Sequence, residues 1–212
     1  MHMKKTFSAV ALLQDGWKLF VEHKKFYLEV VLVFGFIALA ADWLREEDSM
    51  RLVDVVLSVI NMVATWYGSV VLMKASLSLA AHKPIAPDVY NLTVPTIVTL
   101  ILASILTGLG VMIGAVLLII PGIVFALRTS LTQYVILDER ITSVPAIKKS
   151  IALTKGYSWS ILRLVLCFIV LAILSIFPLF GLGFIVLIPV STLVMSLVYY
   201  KVKTEGSIVP QA

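Results

Sequence analysis

Six apolar runs, each close to the length that crosses a bilayer, most restrict how this chain folds. They cover residues 26–44, 52–77, 94–120, 122–137, 159–177 and 184–200. Crossing about 30 Å of hydrocarbon as a helix takes roughly 20 residues. Backbone polar groups in lipid must be satisfied within the protein, so such runs form helices. The sequence therefore predicts an all-α, polytopic membrane protein with six transmembrane helices in three hairpins.

The composition supports a lipid environment. Of 212 residues, 60% are apolar and 14% are charged, whereas soluble domains are about half apolar and a quarter charged. The single cysteine, Cys167, lies inside an apolar run, which predicts a packed thiol rather than a metal ligand. The three histidines are far apart, and the chain shows no metal-binding or catalytic motif. We therefore expect no enzyme activity, no metal and no cofactor.

The chain reads as a single transmembrane domain, residues 1–212. It is predicted to begin with an N-terminal amphipathic helix at 1–25 and to end with a polar tail at 201–212. Between them lie three hairpins, at 26–80, 92–137 and 158–200, and an interfacial helix at 142–156. In the N-terminal helix, Val10, Leu13, Trp17 and Phe20/Val21 share one face, which predicts a helix lying on the membrane. The second hairpin is expected to turn at Pro121-Gly122.

Lysine and arginine residues lie mainly on one side of this topology, which sets its orientation. That side holds Lys4, Lys5, Lys18, Lys24, Lys25, Lys74, Lys83, Arg140, Lys148, Lys149, Lys155, Lys201 and Lys203. The opposite side holds Arg45 and Arg51, offset by three acidic residues. The sequence predicts that both termini are cytoplasmic, in a bacterial inner membrane. The basic residues follow topology, so nucleic acid is not an expected partner.

One predicted site is an intramembrane polar cluster of Arg128, Asp54 and Asn61. Arg128 lies near the middle of the fourth run, and the other two lie at a comparable depth in the second. An arginine inside a membrane costs roughly 3 kcal/mol on insertion scales, so it should face protein or water. The sequence leaves three interpretations open: an Arg128–Asp54 ion pair, a water-bridged cluster that includes Asn61, or an arginine that only packs or snorkels.

A second predicted contact joins the two halves of the chain through Glu29, Arg163 and Lys74. These residues lie at matching depths near the cytoplasmic ends of their runs. Long charged side chains at such positions also reach the headgroups by snorkelling. Either arrangement is compatible with the sequence.

Residues 142–156 are predicted to form a basic interfacial helix. Ser143 is the expected N-cap, Pro145 lies in the first turn, and Gly156 ends the helix. Its lysines, Lys148, Lys149 and Lys155, are expected to contact anionic lipid headgroups or an acidic partner. A small-residue pair at Gly110 and Gly114 in the third run predicts close helix packing, within the chain or in a homo-oligomer.

Residues 117–166 resemble a bacterial membrane domain found beside some glycerophosphodiester phosphodiesterases and in stand-alone six-helix proteins. The resemblance rests on the Ile-Pro-Gly sequence at 120–122, Arg128, the Asp138-Glu139 pair and a Ser/Pro-initiated helix ending in Lys155-Gly156. It implies the membrane domain alone, because the phosphodiesterase module with its metal site is missing from this chain.

Three functions follow as expectations. The first is a non-enzymatic scaffold or accessory that organises lipid or a partner protein at the inner leaflet. The second is a small transporter or channel subunit that uses the polar cluster around Arg128. The third is the membrane subunit of a lipid-metabolising enzyme whose catalytic part is a separate chain.

Overall fold

The computed structural model describes residues 7–44, 52–176 and 182–207, and every regular element in these ranges is helical. The α-helices are α1 Ala9–Glu22, α2 Lys24–Trp43, α3 Leu52–Ala80, α4 Val94–Leu117, α5 Ile119–Thr129, α6 Thr132–Glu139, α7 Ser143–Leu153, α8 Ser158–Ile176 and α9 Leu182–Ser207, with a 3-10 turn at Pro87–Tyr90. The predicted all-α class is confirmed. Predictions for the first six residues, the charged loop after α2, the turn after α8 and the last five residues lie outside the described ranges.

Six segments are long and apolar enough to cross a membrane: α2, α3, α4, α5 together with α6, α8 and α9. These are the six segments predicted from the sequence. Two of these helices are longer than the apolar runs that predicted them: α3 continues to Ala80 and α9 continues to Ser207. The fourth is broken, and residues 130 and 131 separate α5 from α6.

Neighbouring spans pack as antiparallel hairpins, and glycine permits the close approach in two of them. Asn61 of α3 donates a 3.0 Å hydrogen bond to the carbonyl of Ala38 in α2. In the second hairpin, a Cβ built on Gly122 would lie 2.7 Å from the backbone nitrogen of Ala115. In the third, a Cβ on Gly183 would lie 2.6 Å from the Cβ of Ser175.

The second hairpin turns at Leu118 and not at Pro121-Gly122, so that prediction was wrong. Leu118 alone has an extended backbone, with φ −162° and ψ 134°. Pro121 lies in the first turn of α5, where a missing amide hydrogen costs nothing. Gly122 is needed because α4 and α5 touch there, and not because the chain turns there.

The buried core lies at one end of the helices, which we call the packed end. It contains the C-terminal halves of α3 and α9, the first turns of α8, and α1, α6 and α7. At the other end, side chains such as Phe36, Met62, Val116 and Leu174 are more than half exposed. Apolar surface of that kind is stable in lipid and not in water.

Helix α1 packs along α9 and does not only lie on the membrane surface. Its buried residues are Leu12, Gly16 and Phe20, and a Cβ on Gly16 would lie 2.4 Å from a methyl group of Val194. On the predicted membrane face, Trp17 is 51% exposed, but Phe20 is buried, so its assignment to the membrane was wrong. The helix therefore has an inner face that contacts α9 and an outer apolar face that is free to contact lipid.

A chain of three hydroxyl groups crosses the core at the packed end. Tyr27 of α2 lies 3.0 Å from the hydroxyl of Ser76 in α3, which donates to Thr192 of α9 at 3.2 Å. Thr192 in turn donates to the carbonyl of Pro189. Because buried polar groups need partners, this chain fixes how α2, α3 and α9 meet.

Candidate functional site

The break between α5 and α6 places carbonyl groups without regular helical partners inside a spanning segment. Hydroxyl groups of the same segment bond two of them. Ser130 donates to the carbonyl of Leu127 and Thr132 to that of Thr129, at 2.8 and 2.7 Å, and Thr129 adds a 2.9 Å bond to the Phe125 carbonyl at the end of α5. Irregular backbone at membrane depth is stable only when its polar groups are satisfied in this way.

Helix α7 is hydrogen-bonded to the same break. The hydroxyls of Ser150 and Thr154 both donate to the carbonyl of Arg128, at 2.8 and 3.1 Å. At its other end, Ser143 donates to the carbonyl of Thr99 in α4 at 2.9 Å. The helix is thus a packed part of the bundle with a fixed position, and not only an amphipathic helix at its surface.

These contacts correct the predicted ends of this helix. The N-cap is Thr142 and not Ser143, because the Ser143 hydroxyl donates to the carbonyl of Thr99 in α4. Pro145 does lie in the first turn, as predicted. The helix ends at Leu153, three residues before Gly156, whose φ of +92° suits glycine.

A cleft of about 460 Å³ lies between α4 and the broken α5–α6 segment. Its polar lining consists of Ser104, Thr107, Thr129, Ser130, Thr132 and Gln133, and its remaining lining is small or apolar. Gln133 bridges the two sides by donating to the hydroxyl of Ser104 at 3.1 Å. The size falls in the range of small-molecule sites, and no charged side chain lines it.

A charged network holds the packed end of α6 against α9 and α7. Lys203 bonds Asp138 and lies 3.2 Å from Glu139, while Tyr199 and Tyr200 donate to Asp138 at 2.8 and 2.9 Å. Lys149 of α7 bonds Glu139 at 2.5 Å. The two carboxylates are about four-fifths buried, so the network is a structural clamp between three helices.

Two tyrosines outside the spans have a raised pKa. Burial, followed by the Glu205 carboxylate to which it donates, raises the pKa of Tyr157. Burial and the nearby charge of Glu29 raise the pKa of Tyr90. The Tyr157 hydroxyl donates to Glu205 and so joins the start of α8 to the end of α9.

The predicted ion pair between Arg128 and Asp54 is not formed. Within the described ranges no ion pair joins Arg128 to Asp54, and Asn61 bonds the Ala38 carbonyl of its own hairpin. Arg128 contributes its backbone carbonyl to the α7 contact, and its buried Nε has no hydrogen-bond partner. The error arose because depth in a span was estimated from residue counts, which do not give the side of the helix.

The predicted contact through Glu29, Arg163 and Lys74 is also not formed. Glu29 and Arg163 are exposed and, among the residues the structure describes, do not pair with each other. Lys74 instead donates to the carbonyls of Asp88 and Asn91, at 2.6 and 2.9 Å, and lies 3.7 Å from the Asp88 carboxylate. It fixes the loop between α3 and α4.

Of the three lysines assigned to lipid or partner contact, two are available for it. Lys148 and Lys155 are exposed, whereas Lys149 bonds Glu139.

The small-residue pair in α4 packs within the chain, because a Cβ on Gly110 would meet the Phe125 ring at 2.4 Å and one on Gly114 would meet Gly122 at 2.9 Å. The sequence did not indicate the clamp, since Tyr199, Tyr200 and Lys203 appear at the end of an apolar run.

The sequence analysis also missed the cleft, although it contains a usable signal. Residues 128–133 read Arg-Thr-Ser-Leu-Thr-Gln, a polar interruption of an apolar run. Such an interruption is typical of a broken spanning helix. Comparisons with family models, with curated proteins and with solved structures find no match to this chain, so the resemblance stays a prediction.

Proposed function

We propose that this chain is a non-enzymatic, multi-pass protein of the bacterial inner membrane that organises anionic lipid, or an acidic partner protein, at the inner leaflet. The observation that carries the proposal is the set of exposed basic residues around the packed end: Lys18, Lys24, Lys25, Lys83, Arg140, Lys148, Lys155 and Lys201. Within the described part of the chain none of them forms an ion pair. Unpaired cations of this kind favour the cytoplasmic side, so both termini are assigned there.

The best-positioned of these cations are on and beside α7. Lys148 is on α7 and Lys155 lies two residues after its end, and this helix is held by hydroxyl bonds to the carbonyls of Thr99 and Arg128. Their position is therefore set before any ligand binds, which lowers the entropic cost of binding. Each lysine near an anionic leaflet contributes about 1 kcal/mol of attraction.

Native mass spectrometry of the gently extracted protein tests this function, because it reports bound lipids and partners together. We expect phosphatidylglycerol to be retained in preference to phosphatidylcholine when the protein is exchanged into an equimolar mixture. The double variant Lys148→Gln/Lys155→Gln should retain roughly thirtyfold less, from the loss of about 2 kcal/mol. The matched control is Lys74→Gln, which removes a lysine already used on Asp88.

Unchanged retention in the double variant contradicts the proposal for lipid. A stoichiometric acidic protein in place of lipid, lost in the same variant, supports the partner form of the proposal. A loss in Lys74→Gln of half the double variant's binding free energy, as for one of two equivalent charges, shows that retention depends on net charge alone, and it contradicts a defined surface on α7.

The hydroxyl-lined cleft favours a second candidate, a small transporter or channel subunit. Transporters place their substrate sites at discontinuous spanning helices near the middle of the membrane. The α5–α6 break has that form, whereas no ion pair joins Arg128 to Asp54 within the described ranges. Solute uptake into proteoliposomes that is reduced by Gln133→Leu, with unchanged protein abundance, distinguishes this candidate from the first.

A further inference from the structure

The cleft between α4 and the broken α5–α6 segment presents mainly hydrogen-bond acceptors. Thr107 donates its hydroxyl hydrogen to the carbonyl of Ala103, and Ser104 donates its own to Leu100. Thr129, Ser130 and Thr132 donate theirs to carbonyls at the break. Each hydroxyl therefore keeps only oxygen lone pairs for a ligand.

Gln133 extends this pattern. Its amide nitrogen uses one of two N–H groups on Ser104, so the side-chain oxygen is left as a further acceptor and the second N–H as a single spare donor. At the break, turning the hydroxyls of Ser130 and Thr132 away would remove the donors of the Leu127 and Thr129 carbonyls, which is costly in a low-dielectric environment. The acceptor character of these two hydroxyls is thus fixed by the break.

The charge balance narrows the ligand class. An anion such as a phosphate needs donors, and here the hydroxyl hydrogens are already used. A cation would lie in the membrane without a carboxylate, because no acidic side chain lines the cleft. An uncharged group that carries several hydroxyl donors matches both restrictions.

The surroundings of the cleft indicate how such a group arrives. On α4, Gly108 of the lining and its neighbour Leu109 are exposed, with Leu109 at 47%. The cleft is therefore reached from the outer surface of the hairpin. A polyhydroxyl group can come from the headgroup of a membrane lipid or from a free polyol.

We propose that this cleft is a binding site for an uncharged polyhydroxyl group, held by the lone pairs of Thr107, Thr129, Ser130 and Thr132 and by the Gln133 amide. This inference does not depend on the proposed function, which uses the lysines of the packed end. The two proposals can fail separately, because one ligand is neutral and the other is anionic.

The test measures binding to the purified wild-type protein and to two cleft variants, Thr107→Val and Gln133→Leu. Thr99→Val is the matched control, since Thr99 is on the same helix and also donates to a carbonyl four residues earlier, but lies outside the cleft. The probes are a monohexosyl diacylglycerol, a diacylglycerol with the same acyl chains, and free sorbitol. Native mass spectrometry follows the lipids and isothermal calorimetry follows sorbitol, with circular dichroism to establish that each variant is folded.

We expect the monohexosyl lipid to bind more tightly than the diacylglycerol, and each cleft variant to bind it about fivefold more weakly, as for one lost hydrogen bond. Thr99→Val should bind like the wild type. Sorbitol binding with the same dependence on variants supports the site with a soluble polyol as its ligand. If Gln133→Leu does not fold, the comparison of Thr107→Val with Thr99→Val tests the proposed site by itself.

Three results overturn the proposal. The first is that neither polyol probe binds better than the diacylglycerol. The second is that Thr107→Val binds no more weakly than Thr99→Val. The third is that phosphatidylglycerol occupies the cleft in preference to the neutral lipid, as judged by loss of its binding in the same variants.

Discussion

Replacing Gly122 with alanine tests the contact that closes the second hairpin. The added Cβ would lie 2.7 Å from the backbone nitrogen and 2.9 Å from the Cα of Ala115. These are backbone atoms, so α4 and α5 have to move apart along their contact. Overpacking of this kind costs about 1–3 kcal/mol, against a gain of at most about 1 kcal/mol from helix propensity. We expect Gly122→Ala to be less stable than the wild type by about 0–2 kcal/mol.

The control is Gly108→Ala in the same hairpin, where an added Cβ has nothing within 4 Å. This change should leave stability unchanged or raise it slightly, so the two alanine variants should differ by about 1–3 kcal/mol. The assay is reversible unfolding in mixed micelles with increasing sodium dodecyl sulfate, followed by circular dichroism. Equal stability of the two variants would refute the claim that glycine is required at 122 for helix packing.

Three further changes test other contacts in the same unfolding assay. Lys203→Met leaves the largely buried carboxylate of Asp138 without its cation. We expect the free energy of unfolding to fall by about 2–3 kcal/mol, which is less than for a fully buried pair. Unchanged stability would contradict the role of this network as a clamp. Tyr27→Phe leaves Ser76 without a partner at one end of the hydroxyl chain, so stability should fall by about 1 kcal/mol, and no change would mean that the chain does not hold the helices. Exchanging the charges of Arg128 and Asp54 should not rescue either single reversal, because the structure forms no ion pair between them; rescue would restore the original prediction.

The sequence predicted the spans well because their signal is local. A run such as residues 94–120 is too long and too apolar for anything but a spanning helix, and α4 occupies most of it. The packing of Gly110 and Gly114 was also accessible, since small residues four apart permit close approach wherever they occur. In each case neighbouring residues of one helix determine the outcome.

The site was harder to predict because its residues meet across helices. Asp138 and Lys203 are 65 residues apart and meet only because α6 packs beside the end of α9. The depth of Arg128 was estimated from residue counts, but those counts did not show that α7 would bond its carbonyl. Tertiary contacts of this kind leave no periodic pattern in the sequence.

The α1 helix shows the same limit within a single element. Its two apolar stripes, one at Leu12, Gly16 and Phe20 and one that includes Val10 and Trp17, are both compatible with an amphipathic helix. The sequence-based prediction placed Phe20 with the second stripe on the membrane and did not identify Leu12 and Gly16 as a buried face. Gly16 was the available clue, because a small residue between apolar neighbours permits the approach of α9.

Cysteine labelling with a membrane-impermeant maleimide tests most directly that the packed, basic end faces the cytoplasm. In a background carrying Cys167→Ala, single cysteines are placed at Thr204, near the packed end, and at Asp42, near the opposite end of α2; both positions are exposed. In intact spheroplasts the account predicts labelling of Asp42→Cys and protection of Thr204→Cys until the cells are opened. Labelling of Thr204→Cys from outside, with protection of Asp42→Cys, would contradict it.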